Sequence, residues 1–294
     1  MNKVSVIIPT FNNESTIQTT ISSLINQTYS ELEIIVIDNG STDSTCHLVR
    51  ELIKRDNRIK LIFSQNGRSL ARNMGLKVAK GNYIQLLDAD DILLPKKIER
   101  AIQFLDNHSS FFAVACNAIY FNVLNGKIHK KIVKYKYNNH LLGANPFPIN
   151  SVLFRNQNIK FFNQKYQYNE DWLFWVENLI NKKVFFDNKF DVKVRITGNN
   201  TMSNYESMHL FQIYIRSLIK QKYKKNNFRL FLRDCHLSAQ YLLLEQFNRP
   251  ESSSIEKSFQ VEIFLVRILM KFKFIKNWII YKENKQRSNY LYRI

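Results

Sequence analysis

Hydrophobic residues in the first 110 positions fall into two alternating patterns. Residues 4–8 (VSVII), 33–37 (EIIVI), 59–63 (IKLIF) and 83–87 (YIQLL) are short apolar runs rich in β-branched side chains. They lack the strict apolar–polar alternation of a half-exposed strand, so they predict strands buried on both faces. Between them the apolar residues take helical spacing. Ile17, Ile21, Leu24 and Ile25 form one stripe, and Val49, Leu52 and Ile53 form another behind the capping cluster 41–44, where Asp43 or Ser44 would serve as the cap. A third stripe is Leu70, Met74 and Val78, and a fourth, Ile98, Ile102 and Leu105, follows Pro95. Strand and helix in alternation predict an α/β fold with a mostly parallel sheet and helices on both faces.

Ligands of such sheets bind beyond the carboxyl ends of the strands. The residues found there are Pro9-Thr10-Phe11-Asn12, Asp38-Asn39-Gly40-Ser41, the segment 64–68, and Asp88-Ala89-Asp90-Asp91, a polar and acid-rich rim on an apolar sheet. After residue 110 the pattern changes to FFAVAC and AIYFNVL followed by Asn125-Gly126, which predicts a hairpin added to the sheet. From about residue 205 the spacing is mostly helical. A boundary near Asn204 therefore divides residues 1–204 from a helical C-terminal region, 205–294.

Composition narrows the class. The 294 residues are 45% hydrophobic with only 7 Gly and 5 Pro, which excludes disordered, collagen-like and small disulfide-stapled chains. Cys46, Cys116 and Cys235 are odd in number and form no CxxC pair, so free thiols and a reducing, cytoplasmic setting are expected. The sequence opens on a strand pattern without the regions of a signal peptide. The most apolar stretch, 259–280, is interrupted by Glu262, Arg267, Lys271, Lys273 and Lys276 and is not expected to cross a bilayer.

Net charge is +19, and residues 210–294 alone hold 17 basic and 6 acidic residues, a net +11. That region suits an anionic lipid surface, a phosphate-bearing substrate or nucleic acid, or else records a Lys/Asn/Ile-rich composition and nothing more. No nucleic-acid motif accompanies the charge, so nucleic acid is not among the expected partners.

Several constellations carry candidate chemistry. Asp88 and Asp90, two apart at a strand end, would share a divalent cation or divide between a metal and a ribose; the plainer alternative is a helix cap by Asp90 and Asp91. Asp38 would accept a hydrogen bond from a nucleobase, with Gly40 allowing the turn, or would simply hold that turn. Phe11, between Thr10 and Asn12, offers a ring for stacking a base or for the core. Arg68 and Arg72, one helical turn apart, would reach a pyrophosphate. Glu170-Asp171-Trp172 opens a helix whose dipole would keep a carboxylate ionised, as a general base requires, although a capping acid would look the same.

Taken together, VSVIIPTFNN, EIIVIDNGSTDST, NGRSLARNMGL, YIQLLDADD and NEDWLFW resemble glycosyltransferase family 2, over about the first 200 residues and in the family's order and spacing. The resemblance implies a GT-A fold, a Rossmann-like, mostly parallel sheet with flanking helices. By the same resemblance Thr10, Phe11, Asn12 and Asp38 hold the uridine of a UDP-sugar, Arg72 lies near the nucleotide, Asp88 approaches the ribose or sugar, and Asp90 binds Mn²⁺ or Mg²⁺. Asp171 would deprotonate the acceptor hydroxyl in a single displacement that inverts the anomeric carbon. The expected enzyme is a metal-dependent hexosyltransferase of bacterial surface-polysaccharide synthesis that loses transfer when its cation is removed.

One departure stands out. Many relatives carry a His after the ED helix, whereas RITGNNTMS has none. His209 would replace it at the metal, or would be a surface residue at the start of the next helix. Residues 145–151 are expected on the acceptor side. The acceptor is expected to be a glycan or a lipid-linked saccharide, and the basic tail to touch the inner leaflet as a peripheral contact or to pack as a helical hairpin, with a homodimer through the C-terminal helices as a further possibility. An inactive nucleotide-sugar-binding module of the same fold is the alternative, disfavoured because Asp90 and Asp171 are both present. A nucleotidyltransferase would need a Gly-rich basic loop where PTFNN stands.

Overall fold

A computed structural model describes residues 2–133, 139–197, 205–224, 227–244 and 251–291. The boundary expected at Asn204, the Lys/Tyr-rich residues 134–138 and most of the RITGNNTMS stretch lie outside the described residues. Four parallel strands form one half of the sheet: β1 (Val4–Thr10), β2 (Leu32–Asp38), β3 (Ile59–Phe63) and β4 (Tyr83–Leu86). They are joined by α1 (Ile17–Ile25), α2 (Thr45–Ile53) and α3 (Arg68–Val78). Beyond them come β5 (Ile92–Leu93), α4 (Lys97–Asn107), β6 (Phe111–Asn122), β7 (Ile128–Lys131), α5 (Asn139–Gly143), β8 (Val152–Arg155), α6 (Glu170–Leu179) and β9 (Lys183–Ile196). The sheet order is β3-β2-β1-β4-β8-β6-β9-β5, with β7 paired to β6 as the expected hairpin.

Burial on both faces explains the uniform apolar runs. Val4, Val6, Ile8, Ile34 and Val36 pack with Ile17, Ile21, Leu24, Ile98 and Ile102 on one face. Their neighbours Ile7, Ile35 and Ile37 pack with Ala71, Leu76, Trp172 and Trp175 on the other. Alternation is present, but both sides are apolar. Helix α3 lies so close to β1 that a Cβ on Gly75 would stand 2.3 Å from Ile7 Cγ2.

The second half of the sheet is mixed. Strand β8 runs antiparallel to both β4 and β6, and β9 pairs parallel to β6 and antiparallel to β5. The expected cap role of Asp90 and Asp91 gives way to β5, which intervenes before α4. At α2 the N-cap position is Ser44, which makes no side-chain cap bond, and it is Asp43 just before it whose Oδ1 accepts from Thr45 N at 3.0 Å. Cys46, Cys116 and Cys235 are free thiols.

The C-terminal helices are α7 (Tyr205–Tyr223), α8 (Phe228–Leu243), α9 (Glu251–Ser258), α10 (Gln260–Met270) and α11 (Lys273–Leu291). They enclose their own core of Leu210, Ile213, Leu237, Tyr241, Ile255 and Phe259. Ile215, Ile219 and Leu230 belong instead to the core under the sheet, so α7 and α8 are docked on the first region rather than linked loosely to it. A buried bidentate pair, Arg216 Nε to Asp234 Oδ1 at 2.8 Å and Nη2 to Oδ2 at 2.9 Å, fixes α7 against α8. Among the described residues no helix is long and apolar enough to cross a membrane.

Candidate active site

The loops after β1, β2 and β4 build the floor of a cavity of about 690 Å³. Asn12 takes a left-handed backbone, φ 51°, and its Oδ1 accepts from Thr42 N at 2.8 Å, which ties the first loop to the second. Thr10 is buried, and its Oγ1 donates to Asn13 Oδ1 at 3.1 Å. Phe11, 49% exposed, presents its ring to the cavity rather than to the core. Asp38 is buried behind the lining, where its carboxylate accepts from Gly40 N at 3.1 Å and Ser41 N at 3.2 Å. Of that loop it is Asn39 that lines the cavity, its Oδ1 accepting from Gly67 N at 2.8 Å.

Asp88, Asp90 and Asp91 form a ledge along this cavity. Asp91 is fully committed: Oδ2 accepts from Asn150 Nδ2 at 2.8 Å and Oδ1 from Arg195 N at 2.9 Å. Arg195 Nε also donates to the Asp90 carbonyl at 3.0 Å, so β9 clamps the turn that carries both acids. Burial, and then the charge of Asp88, push the Asp90 carboxyl up to about 6. Burial acts in the same direction on Asp88, but Arg72 and Arg68 outweigh it and hold that group below the ordinary range.

Arg72 lines the second cavity described below and is not a free cation. Its guanidinium is 2% exposed and bridges Glu170 Oε1 at 2.8 Å and Asp88 Oδ1 at 2.8 Å, with Phe162 beneath it at 5.2 Å. Burial opposes that charge, yet the two acids keep its pKa above the ordinary guanidinium value. Arg68, nearly half exposed, lies on the cavity wall together with Arg195.

A second cavity, about 370 Å³, adjoins the first, and Arg68, Asp88, Asp91 and Val194 line both. Asp90 lines only the first and Asp171 only the second. Asn169, in a left-handed conformation at φ 54°, turns the chain into α6, whose first residues are Glu170 and Asp171. Asp171 is oriented at both oxygens, Oδ2 by Asn145 Nδ2 at 2.7 Å and Oδ1 by Trp172 N at 2.9 Å. The helix dipole was expected to keep this acid ionised; burial, followed by the charge of Glu170, pushes it up to about 6, against the pull of Arg72, which leaves it ionised near pH 7 but with a raised pKa.

Asn145, Ile149 and Asn150, from the segment expected on the acceptor side, line this second cavity. His209 lines it too and is buried, which removes the surface alternative and sets it on the side of Asp171 rather than of Asp90. Sequence reasoning missed Arg195 and gave Asn39 and Asn150 a place but no individual role, because these roles depend on partners far away in the chain.

The donor set at the ledge fits a hard divalent cation in a particular way. Among the described residues no group of three or more His, Cys, Asp or Glu converges as a closed metal site. Asp88 and Asp90 nevertheless present carboxylates on one cavity wall, and a cation there would offset the charge of Asp88 that, after burial, raises Asp90. Two carboxylates leave most of a coordination shell to water and phosphate oxygens, the usual arrangement for Mg²⁺ or Mn²⁺ at a nucleotide diphosphate.

Known proteins bear on this geometry. Residues 5–168 match the sequence profile of Glycosyl transferase family 2. An uncharacterized glycosyltransferase of Haemophilus influenzae is 30% identical over 89% of this chain and 85% of its own length. The Escherichia coli UDP-Glc:alpha-D-GlcNAc-diphosphoundecaprenol beta-1,3-glucosyltransferase WfaP is 30% identical over 69% of this chain and 81% of its own length. Among solved structures, Staphylococcus aureus TarS 1–349 in complex with UDP-GlcNAc superposes with a TM-score of 0.64 at 20% identity, covering 97% of this chain and 92% of that one, a likeness of fold. The sheet with its flanking helices is accordingly a GT-A fold, and the chain belongs to glycosyltransferase family 2.

Proposed function

We propose that this protein is an inverting hexosyltransferase that moves a hexose or N-acetylhexosamine from a UDP-sugar to a hydroxyl of a glycan or lipid-linked saccharide in bacterial surface-polysaccharide synthesis. The observation that carries this reading is the pair of cavities meeting at the Asp88–Asp91 ledge, with Asp90 in one and Asp171 in the other. Nucleotide and acceptor approach such a ledge from opposite sides, which is the arrangement a single displacement requires.

The nucleotide fills the larger cavity, with Phe11 against the base and Thr10, Asn12 and Asp38 shaping the loops that receive it. Asp38 acts from behind, by holding Gly40 and Ser41. Asp88 and Asp90 hold Mn²⁺ or Mg²⁺, which when bound offsets negative charge on the diphosphate. Arg68 adds a positive charge where the two cavities meet. On the acceptor side Asp171, fixed by Asn145, takes the proton of the attacking hydroxyl as that oxygen bonds to the anomeric carbon and UDP departs. A carboxyl at about 6 is mostly ionised near pH 7 and still a stronger base than an ordinary aspartate. Arg72 is a positioning residue that ties Asp88 to Glu170 and so sets the two acids of the reaction at a fixed spacing.

What supports peripheral contact with an anionic membrane is the outer face of α10 and α11, where Phe264, Phe272, Phe274 and Trp278 are more than half exposed beside Lys271, Lys273 and Lys276. Release of the matching nucleoside diphosphate from a panel of UDP-, GDP- and dTDP-sugars tests the donor. Release from a UDP-sugar alone is expected, and equal release from a GDP-sugar would overturn that choice.

A further inference from the structure

A third cavity lies outside the site described above. It measures about 480 Å³ and opens between the end of β7, α5 and the first turns of α8, lined by Lys131, His140, Arg229 and Arg233 along with Ala144 and Pro146. Among the described residues that line it none is acidic. Arg233 Nε is buried there without a hydrogen-bond partner among the described residues. Burial, and then the charge of Arg216, push the Arg233 guanidinium below its ordinary pKa. Asp234, the acid that acts in the other direction, has both oxygens engaged by Arg216. A half-buried guanidinium whose inaccessible Nε–H is unmet and whose neighbours are cationic calls for an anion.

The position of this cavity says which anion. The chain from Ala144 to Phe147 is a wall between it and the Asp171 cavity: Ala144 and Pro146 face the basic side, Asn145 and Phe147 face the other, and Lys131 lines both. Asn145 is the residue that holds Asp171. The outer rim is apolar, since Ile132, Phe228 and Leu232 are each more than half exposed. Helical spacing sets Phe228 and Leu232 one turn apart on α8, with Arg229 and Arg233 in a parallel stripe beside them. A ligand that satisfies this surface carries negative charge between a sugar and an apolar chain.

We propose that the Arg229/Arg233 cavity binds the phosphate or diphosphate of the acceptor, across the 144–147 wall from its reacting hydroxyl, and that the rim of Ile132, Phe228 and Leu232 takes the chain attached to that phosphate. This rests on the reading of Asp171 as the acceptor-side base. The site makes the acceptor a phosphate-linked saccharide rather than a free glycan, and it gives part of the C-terminal basic charge a defined use.

The test is calorimetric titration of the full chain, saturated with UDP and Mg²⁺ so that the donor cavity is filled. The probes are farnesyl diphosphate, inorganic pyrophosphate and farnesol. Farnesyl diphosphate is expected to bind, and the double variant R229Q/R233Q to weaken it about ten- to a hundred-fold, the loss expected for charge-assisted hydrogen bonds. UDP affinity should be unchanged in the variant, which also reports an intact fold; the exposed single change R229Q should give a partial loss. Farnesyl diphosphate binding more tightly than pyrophosphate identifies a lipid-linked source, and equal affinity identifies a soluble phosphorylated acceptor. Wild-type affinity in R229Q/R233Q, or farnesol binding as tightly as farnesyl diphosphate, would overturn the proposal. UDP binding without farnesyl diphosphate binding sinks this inference alone, whereas absence of UDP binding sinks the transferase reading and this inference with it.

Discussion

Replacing Arg72 by Met removes one guanidinium from between two acids while keeping a stem of similar bulk. The two arms of the bridge are unequal. Arg72 and Glu170 have side chains 2% and 6% exposed, so their 2.8 Å contact is scarcely screened, whereas the Asp88 side chain is 34% exposed and its arm is weakened by solvent. Breaking a buried pair on one side leaves an uncompensated charge and costs about 3–5 kcal/mol. The exposed arm adds at most about 1 kcal/mol. For a chain of this size the sum corresponds to a fall of roughly 6–15 °C in Tm, read by thermal denaturation. If the orphaned carboxylate is the cause, Glu170→Gln in the R72M background should restore most of the loss. Kinetics supply a second readout: Arg72 pulls the Asp171 pKa down, so in R72M the acid limb of kcat/KM should move above its wild-type position near 6. A Tm change under about 1 kcal/mol equivalent, the range of an exposed pair, together with an unmoved acid limb, would refute the reasoning.

Asp171→Asn should lower transfer by about 10²–10⁴-fold, the share typical of a general base. The same change should raise Tm at pH 7: a carboxyl whose folded pKa lies above its unfolded value stabilises the protein when protonated, and that contribution is lost as pH rises from about 4 toward about 6, so the difference from wild type should vanish near pH 4. Gly75→Ala would set a methyl 2.3 Å from Ile7 Cγ2 between α3 and β1, an overpacking that costs about 1–3 kcal/mol and should appear as a lower urea midpoint with an unchanged slope. Replacing Phe274 and Trp278 by Ser should release the protein from anionic vesicles in a flotation assay while leaving UDP binding intact; equal flotation of both forms would count against membrane contact.

The parallel half of the fold was legible because burial on both faces writes each strand as an unbroken apolar run, and because α1, α3 and α4 each show one clear apolar stripe. Asp88, Asp90 and Asp171 were legible from local context, at a strand end and at a helix start. What failed to show was everything set by distant pairing. Strand β8 is only VLFR, four residues after a loop, and β9 carries charges at Asp187, Lys189, Asp191, Lys193 and Arg195 that hide its place in the sheet. The contacts that fix Asp91 come from Asn150 and Arg195, 59 and 104 residues away, and Arg72 finds Glu170 across 98. Local patterns also left out the size of the electrostatic shift: a helix start favours an ionised Asp171, while burial and Glu170 raise its pKa to about 6.

The most direct test separates the two cavities. UDP-sugar binding and sugar transfer would be measured on the same samples of wild type, Asp90→Asn and Asp171→Asn, with Mn²⁺ and with EDTA. Asp171→Asn should bind the donor as wild type does yet transfer about 10²–10⁴-fold more slowly, while Asp90→Asn should lose the Mn²⁺-dependent part of donor binding and transfer with it. Donor binding lost in Asp171→Asn, or Mn²⁺-dependent binding retained in Asp90→Asn, would contradict the division of labour across the ledge.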